Sequence, residues 1–215
     1  MKLFFKSRTP ALVLTCLLAG CGGDSNSGTP TVSTGLKIFV TSRVHDGNFR
    51  DDTVLAGTTA IEKADNFCQT DPARPSAATY KALLVDGVLR DAQSQNNWVL
   101  KPSTSYFQSF NDVRIGVTTP AAVFATASNN LDHNIHASFG TSNDPNNPAP
   151  TSSVWTGLAD AATFSSSTDN CQGWSSSVNL YSSIIGVTYG TDAEAFYTNG
   201  GHACTFAYRL YCIEQ

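Results

Sequence analysis

The sequence predicts an exported α+β domain of short strands and one early helix, held by two disulfides. Three observations carry that expectation. β-branched and aromatic runs alternate with loops rich in Ser, Thr, Asn and Gly. One stretch near the start has helical spacing behind a capping box. Of six cysteines, four remain once an export signal and its lipidation site are set aside. With 215 residues, 41% hydrophobic content and only 14% charged residues, the chain can bury one good core, and its profile suits a secreted, loop-rich domain.

The beginning of the chain is read as targeting rather than fold. Lys2, Lys6 and Arg8 form a positive n-region, and "ALVLTCLLAG" is apolar but too short to span a bilayer. Its end, Leu18-Ala19-Gly20-Cys21, resembles a bacterial lipobox, which makes residues 1–20 a signal peptide and Cys21 the lipidated residue. Two or three acyl chains give a stable membrane anchor where one is marginal. Gly22 at the next position points to the outer membrane. Loss of the signal leaves ten Lys and Arg against 17 Asp and Glu, a net charge near −7. The basic residues are scattered singly, which argues against nucleic acid and sulfated polysaccharides as partners.

Residues 21–36 form a polar tether, and the domain is expected over 37–215. "LKIFVTS" reads as a strand. In "TTAIEKADNFCQ", Thr59 and Glu62 fit a capping box, while Ile61, Ala64 and Cys68 fall on one helix face. "ATYKALLVD" reads as a second strand, "DGVLRDAQ" as a turn with a short helix, and "NWVL" as a strand entering a long irregular middle from Pro102 to Ser153. "TSNDPNNPAP" is a surface loop by its Pro and Asn content. "SSVWTGLAD", "CQGWSSS", "SSIIGVTYG" and "ACTFAYRLYCIE" then read as strands between polar loops.

Cys68, Cys171, Cys204 and Cys212 in an oxidising compartment imply two disulfides. If Cys204 to Cys212 is one strand, its ends lie about 26 Å apart at roughly 3.3 Å per residue. A disulfide requires Cα atoms within about 7 Å. The two C-terminal cysteines must therefore take Cys68 and Cys171 in some order. In the same strand Cys204, Phe206, Tyr208, Leu210 and Cys212 share one face, expected to be the core face. A zinc site is disfavoured because there is no Cys-x-x-Cys pair.

The stretches "KIFVTS", "GTTAIEKADNFC", "YKALL", "VWTGLAD", "NCQGWSS" and "LYCIEQ" occur in an order that resembles the lipoprotein domain of the spirochaete endostatin-like proteins. More distantly they are similar to the collagen-derived endostatins. The resemblance covers 37–215 and implies a C-type-lectin-like fold in which Trp155, Gly157 and Leu158 form the buried tryptophan motif. It also implies nested disulfides, Cys68–Cys212 and Cys171–Cys204, and pairing of the first strand with the last, so that the long loops point away from the tether.

Motifs for ligand chemistry are sparse. The Glu-Pro-Asn or Gln-Pro-Asp triplet of calcium-dependent sugar-binding relatives is missing between Leu158 and Cys171, and Trp174 is followed by serines, so such sugar binding is not supported. His133 and His136, beside Asp132, are weak metal candidates in an Asn-rich loop. Asp46, Asn48, Asp51 and Asp52 in "HDGNFRDD" offer oxygen ligands without EF-hand spacing, and a solvated turn is favoured. There is no Gly-x-Ser-x-Gly elbow, His-Glu-x-x-His or phosphate-cradling loop. No cofactor and no catalytic residue is expected.

The reading is thus a membrane-anchored, non-catalytic binding or adhesion module. Extracellular-matrix or other host proteins are the partners the resemblance implies, and Tyr106, Phe107, Phe110 and Phe139 are the exposed aromatic candidates for contact. The alternatives are an envelope assembly lipoprotein that binds a bacterial partner and, less favoured, an enzyme acting on envelope polymers.

Overall fold

A computed structural model describes residues 34–126, 128–136 and 152–215. The export signal, Cys21, most of the tether and Phe139 lie outside the described residues. The fold is α+β, and a five-stranded sheet runs through its centre in the order β2-β9-β1-β3-β4. Its strands are β1 (Leu36–Val40), β2 (Tyr80–Ala82), β3 (Ser105–Gln108), β4 (Arg114–Val117) and β9 (Tyr211–Glu214). The last strand lies antiparallel to the first, with Phe39 opposite Cys212, and also antiparallel to β2 on its other side. Within this sheet only the β1–β3 pair is parallel. Two small sheets carry the remaining strands: β5 (Ser153–Trp155) pairs with β7 (Ile185–Val187), and β6 (Ser182–Ser183) pairs with β8 (His202–Ala203).

Alternation along the two central strands explains why the sheet is buried on both faces. Ile38, Val40, Tyr211 and Ile213 enter one core with Tyr106, Ile115, Phe124 and Phe196. Phe39 and Cys212 point the other way, into a second core with Ile61, Phe67, Trp155 and Trp174. Continuous apolar runs such as "IFV" and "YCI" are what strands covered on both sides require.

The one long helix among the described residues, α1 (Ala60–Gln69), begins at the expected capping box: the Thr59 hydroxyl accepts from the Glu62 N–H, and the Glu62 carboxylate accepts from the Thr59 N–H. Ile61, Ala64 and Cys68 are buried on its inner face. Asp65 ties the helix to the sheet by accepting from the Ala82 N–H and from both terminal nitrogens of Arg90 at 2.7–2.8 Å. Arg90 is itself fully buried and also donates to the carbonyls of Ala82 and Asn97. A buried guanidinium is tolerable only when paired and hydrogen-bonded in this way.

Both disulfides are present, Cys68–Cys212 and Cys171–Cys204, with Cα atoms 5.6 and 5.7 Å apart. The pairing matches the nested arrangement that the resemblance implies. The end of the chain differs from the expected single strand, because Phe206 N–H donates to Ala203 O in a turn between β8 and β9. Phe206 is consequently exposed, while Cys204, Tyr208, Leu210 and Cys212 are buried.

Three further expectations are corrected. "DGVLRDAQ" forms no helix, since the Asp86 carboxylate takes the N–H groups of Val88, Leu89 and Arg90 into a turn. "NWVL" is buried at Val99 and Leu100 but joins no ladder, and the middle segment supplies β3 and β4 instead. "CQGWSSS" is no strand: Cys171–Trp174 is one tight turn in which all four residues have positive φ, from 51° to 68°. For L-residues this conformation costs about 1–2 kcal/mol each, and it persists where surrounding bonds over-determine it. Here the Cys171–Cys204 link, the Trp174 indole N–H on Val85 O at 2.8 Å and the Asn170 side chain on the Gly173 N–H do so.

The disulfide separations predict a ranking. Cys68–Cys212 closes 144 residues and Cys171–Cys204 closes 33, for which chain entropy gives upper figures of about 5 and about 4 kcal/mol. Urea unfolding of the two double Cys→Ala variants should show a greater loss for the Cys68/Cys212 pair. Equal losses, or none, would contradict the role given to that link.

Candidate functional site

The segment leaving β1 builds the most developed surface site. Thr41 N–H donates to Leu210 O, and Asp71 holds the next two residues, accepting from the Ser42 N–H and hydroxyl at 2.9 Å each and from the Arg43 N–H at 3.2 Å. Burial alone would raise the Asp71 carboxyl. The N–H groups of Ser42, Ala73 and Arg43 and the Ser42 hydroxyl outweigh that, leaving it below its ordinary value. His45 then exchanges backbone hydrogen bonds with Tyr208, Gly47 N–H donates to Cys204 O, and Arg50 N–H donates to Trp174 O. The segment thereby lies along the Cys171–Cys204 link.

These bonds open a cleft of about 470 Å³ lined by Val44, His45, Asp46, Asn48, Asp51 and Asp52 on one side and by Thr205 and Ala207 on the other. His45 is stacked on Phe49 with ring centres 4.0 Å apart. Its Nδ1 lies 2.8 Å from Asp46 O and its Nε2 lies 3.1 Å from the Asp52 carboxylate. Burial would raise the Asp52 carboxyl, but the Leu55 N–H, the His45 ring and the Val54 N–H more than compensate, and it is held below the usual range.

The His45–Asp52 pair has the composition of an acid–base dyad. Both ring nitrogens lie against oxygens of the segment itself, and a neutral imidazole can donate to one of them at a time. The pair braces the cleft wall. A carboxylate-lined cleft next to exposed apolar side chains is suited to recognition by charge and contact.

The aromatic candidates fare differently. Tyr106 is fully buried, not exposed: its hydroxyl accepts from the Lys101 N–H at 2.8 Å, its ring lies edge-on to Phe124, and burial pushes its pKa up to about 12. It is removed from the contact set because its side chain falls on the core face of β3. Phe107, on the opposite face, is half-buried with Lys37 Nζ 5.3 Å from its ring. Phe110 is 50% exposed at the β3–β4 turn, with the His136 ring 4.7 Å away. His133 is exposed with Nδ1 on Arg114 O at 3.0 Å, and burial lowers the pKa of His136, with nearby Arg209 adding to the effect. Among the described residues no group of three or more His, Cys, Asp or Glu side chains is arranged to hold a metal ion.

Sequence reasoning missed the exposed apolar side chains on the loops next to the cleft. Leu180 is 83% exposed and Phe206 44%, with Val178 and Val44 exposed as well. The sequence carried no clear signal for them, since Val178 and Leu180, two apart, have the spacing of a strand as much as of an exposed turn.

The architecture defines a disulfide-pinned α+β domain with a polar cleft at one loop cluster. The chain belongs to the family described as "Protein of unknown function (DUF1554)", whose model matches residues 51–191, well over half of its length. That span contains α1, Cys68 and Cys171. No curated protein matches the chain. Among the described residues no helix is long and apolar enough to cross a membrane.

Asp71 generates a pH prediction. Its folded value lies below its ordinary one, so its stabilisation is complete above about pH 4 and is lost as pH falls through the folded value. Asp71→Asn should cost about 2 kcal/mol at neutral pH, and urea titrations should show the gap from the parent closing on acidification. A gap independent of pH would rule out the charged carboxylate as its source.

Proposed function

We propose that this chain is a surface lipoprotein, anchored through Cys21 in the outer membrane, whose C-type-lectin-like domain is a non-catalytic binding module for protein partners, extracellular-matrix proteins first among them. The single observation that carries the binding reading is the set of exposed apolar side chains on the Val178–Leu180 and Thr205–Ala207 loops, beside a cleft fixed by the Cys171–Cys204 link. Ligand contacts on loops borne by a rigid scaffold are the usual division of labour in binding domains.

Other features support the lectin-like and endostatin-like assignment. The first and last strands pair, the disulfides are nested, and Gly157 of "VWTGL" adopts φ +72° where a Cβ would meet Val85 O and the Trp174 ring. Trp155 is buried, with its indole N–H on His45 O.

The test takes two measurements on the chain expressed in a bacterial host. Labelled palmitate should enter the parent and not Cys21→Ser. The purified chain should bind immobilised matrix protein reversibly and lose that binding when its disulfides are reduced. Binding confined to an envelope fraction would move the assignment to an envelope assembly lipoprotein, and absence of label would remove the anchor.

A further inference from the structure

The cleft and its rim specify the chemistry of a partner more closely than the binding-module reading does. Val44 lines the cleft, and Thr205 and Ala207 flank Phe206 at its other wall. The Val178–Leu180 turn is continuous with that wall: Tyr181 N–H donates to Val178 O, Cys204 N–H donates to Tyr181 O, and the Thr205 hydroxyl bonds the Asn179 side chain. Leu180, Val178, Phe206 and Val44 therefore stand on neighbouring loops, whereas isolated surface apolar residues carry no such meaning.

Carboxylates predominate on the polar side of the surface. Asp46, Asp51 and Asp52 line the cleft. Asp46 caps the Asn48 N–H, and Asp51 accepts from the Asn48 side chain. Among the described residues neither Asp46 nor Asp51 is ion-paired with a Lys or Arg, and the His45 ring lies 3.5 Å from Asp46. The Lys63 amine, on the carbonyls of Arg50 and Asp52, offsets one of the three negative charges. Charge complementarity thus disfavours an anionic occupant and favours a cation that arrives on an apolar carrier. Lys and Arg side chains have that form, an aliphatic stem that can lie along Leu180 and Phe206 and a charged head that can reach the carboxylates.

We propose that the surface formed by Val44, Leu180 and Phe206 around the Asp46/Asp51 cleft docks a segment of a partner protein in which a Lys or Arg lies among apolar residues. This deepens the binding-module reading and rests on it. Val178 extends the apolar side, and Asp52 and His45 hold the cleft wall in place.

The probe is a short fluorescent peptide alternating lysine with leucine, titrated against the intact chain by anisotropy and compared with glutamate–leucine and lysine–serine peptides. The lysine–leucine peptide should bind, and more weakly as salt rises. Asp46→Asn with Asp51→Asn, and separately Leu180→Ser with Phe206→Ser, should each weaken it by at least about tenfold, or about 1.4 kcal/mol, at unchanged melting temperature. Val117→Ser, exposed on β4, should leave it unaffected. If the Leu180/Phe206 variant does not fold, Leu180→Ala alone keeps the test, since that side chain is almost wholly in solvent. Equal binding of the glutamate–leucine or lysine–serine peptide overturns the proposal, as does unchanged affinity in the folded variants. A parent chain that binds matrix protein equally well with and without these substitutions sinks this surface but leaves the module reading standing.

Discussion

The rest of the structure depends on the insertion of β9 between β1 and β2. The last strand is an interior strand of the sheet, so the sheet is incomplete until Tyr211–Glu214 returns to lie beside β1. Cys68–Cys212 fixes this return covalently to α1, and the alternation of Tyr211, Cys212 and Ile213 divides the interior into two cores. The binding loops lie downstream of that closure. Thr41 and His45 leave β1 already paired with Leu210 and Tyr208, so the cleft wall is positioned by the same two ends of the chain.

A second layer of constraint holds the loop cluster. The four positive φ values at Cys171–Trp174 place a disulfide and a buried indole on one turn, and the segments carrying His45 and Arg50 pack against it. Gly47 is needed there because a Cβ would run into the Cys171 side chain and Ser176 O. Strain at the turn and order in the cleft are therefore coupled. A rigid presentation of Leu180 and Phe206 lowers the ordering cost of binding.

What the sequence made legible was local or covalent. Thr59 and Glu62 marked the start of α1, the spacing of Ile61, Ala64 and Cys68 marked its inner face, and "KIFV" marked β1. The β3–β4 pair stayed hidden because its strands are four residues each and β3 takes its place through a parallel pairing with β1, far away in sequence. The same gap put Tyr106 on the wrong side. Phe206 was misplaced by carrying a period of two through Cys204–Cys212, where a turn at Cys204 and Thr205 breaks it. The cleft was visible only as "HDGNFRDD", since its second wall comes from residues near the opposite end of the chain.

Native-state hydrogen exchange tests the central dependence most directly. Amides of Leu36–Val40 and Tyr211–Glu214 should exchange only through global unfolding, with the same free energy as each other, while those of Val178–Leu180 and Thr205–Ala207 should open locally at much lower cost. Exchange of the C-terminal strand as fast as the loops, with β1 still protected, would contradict the account.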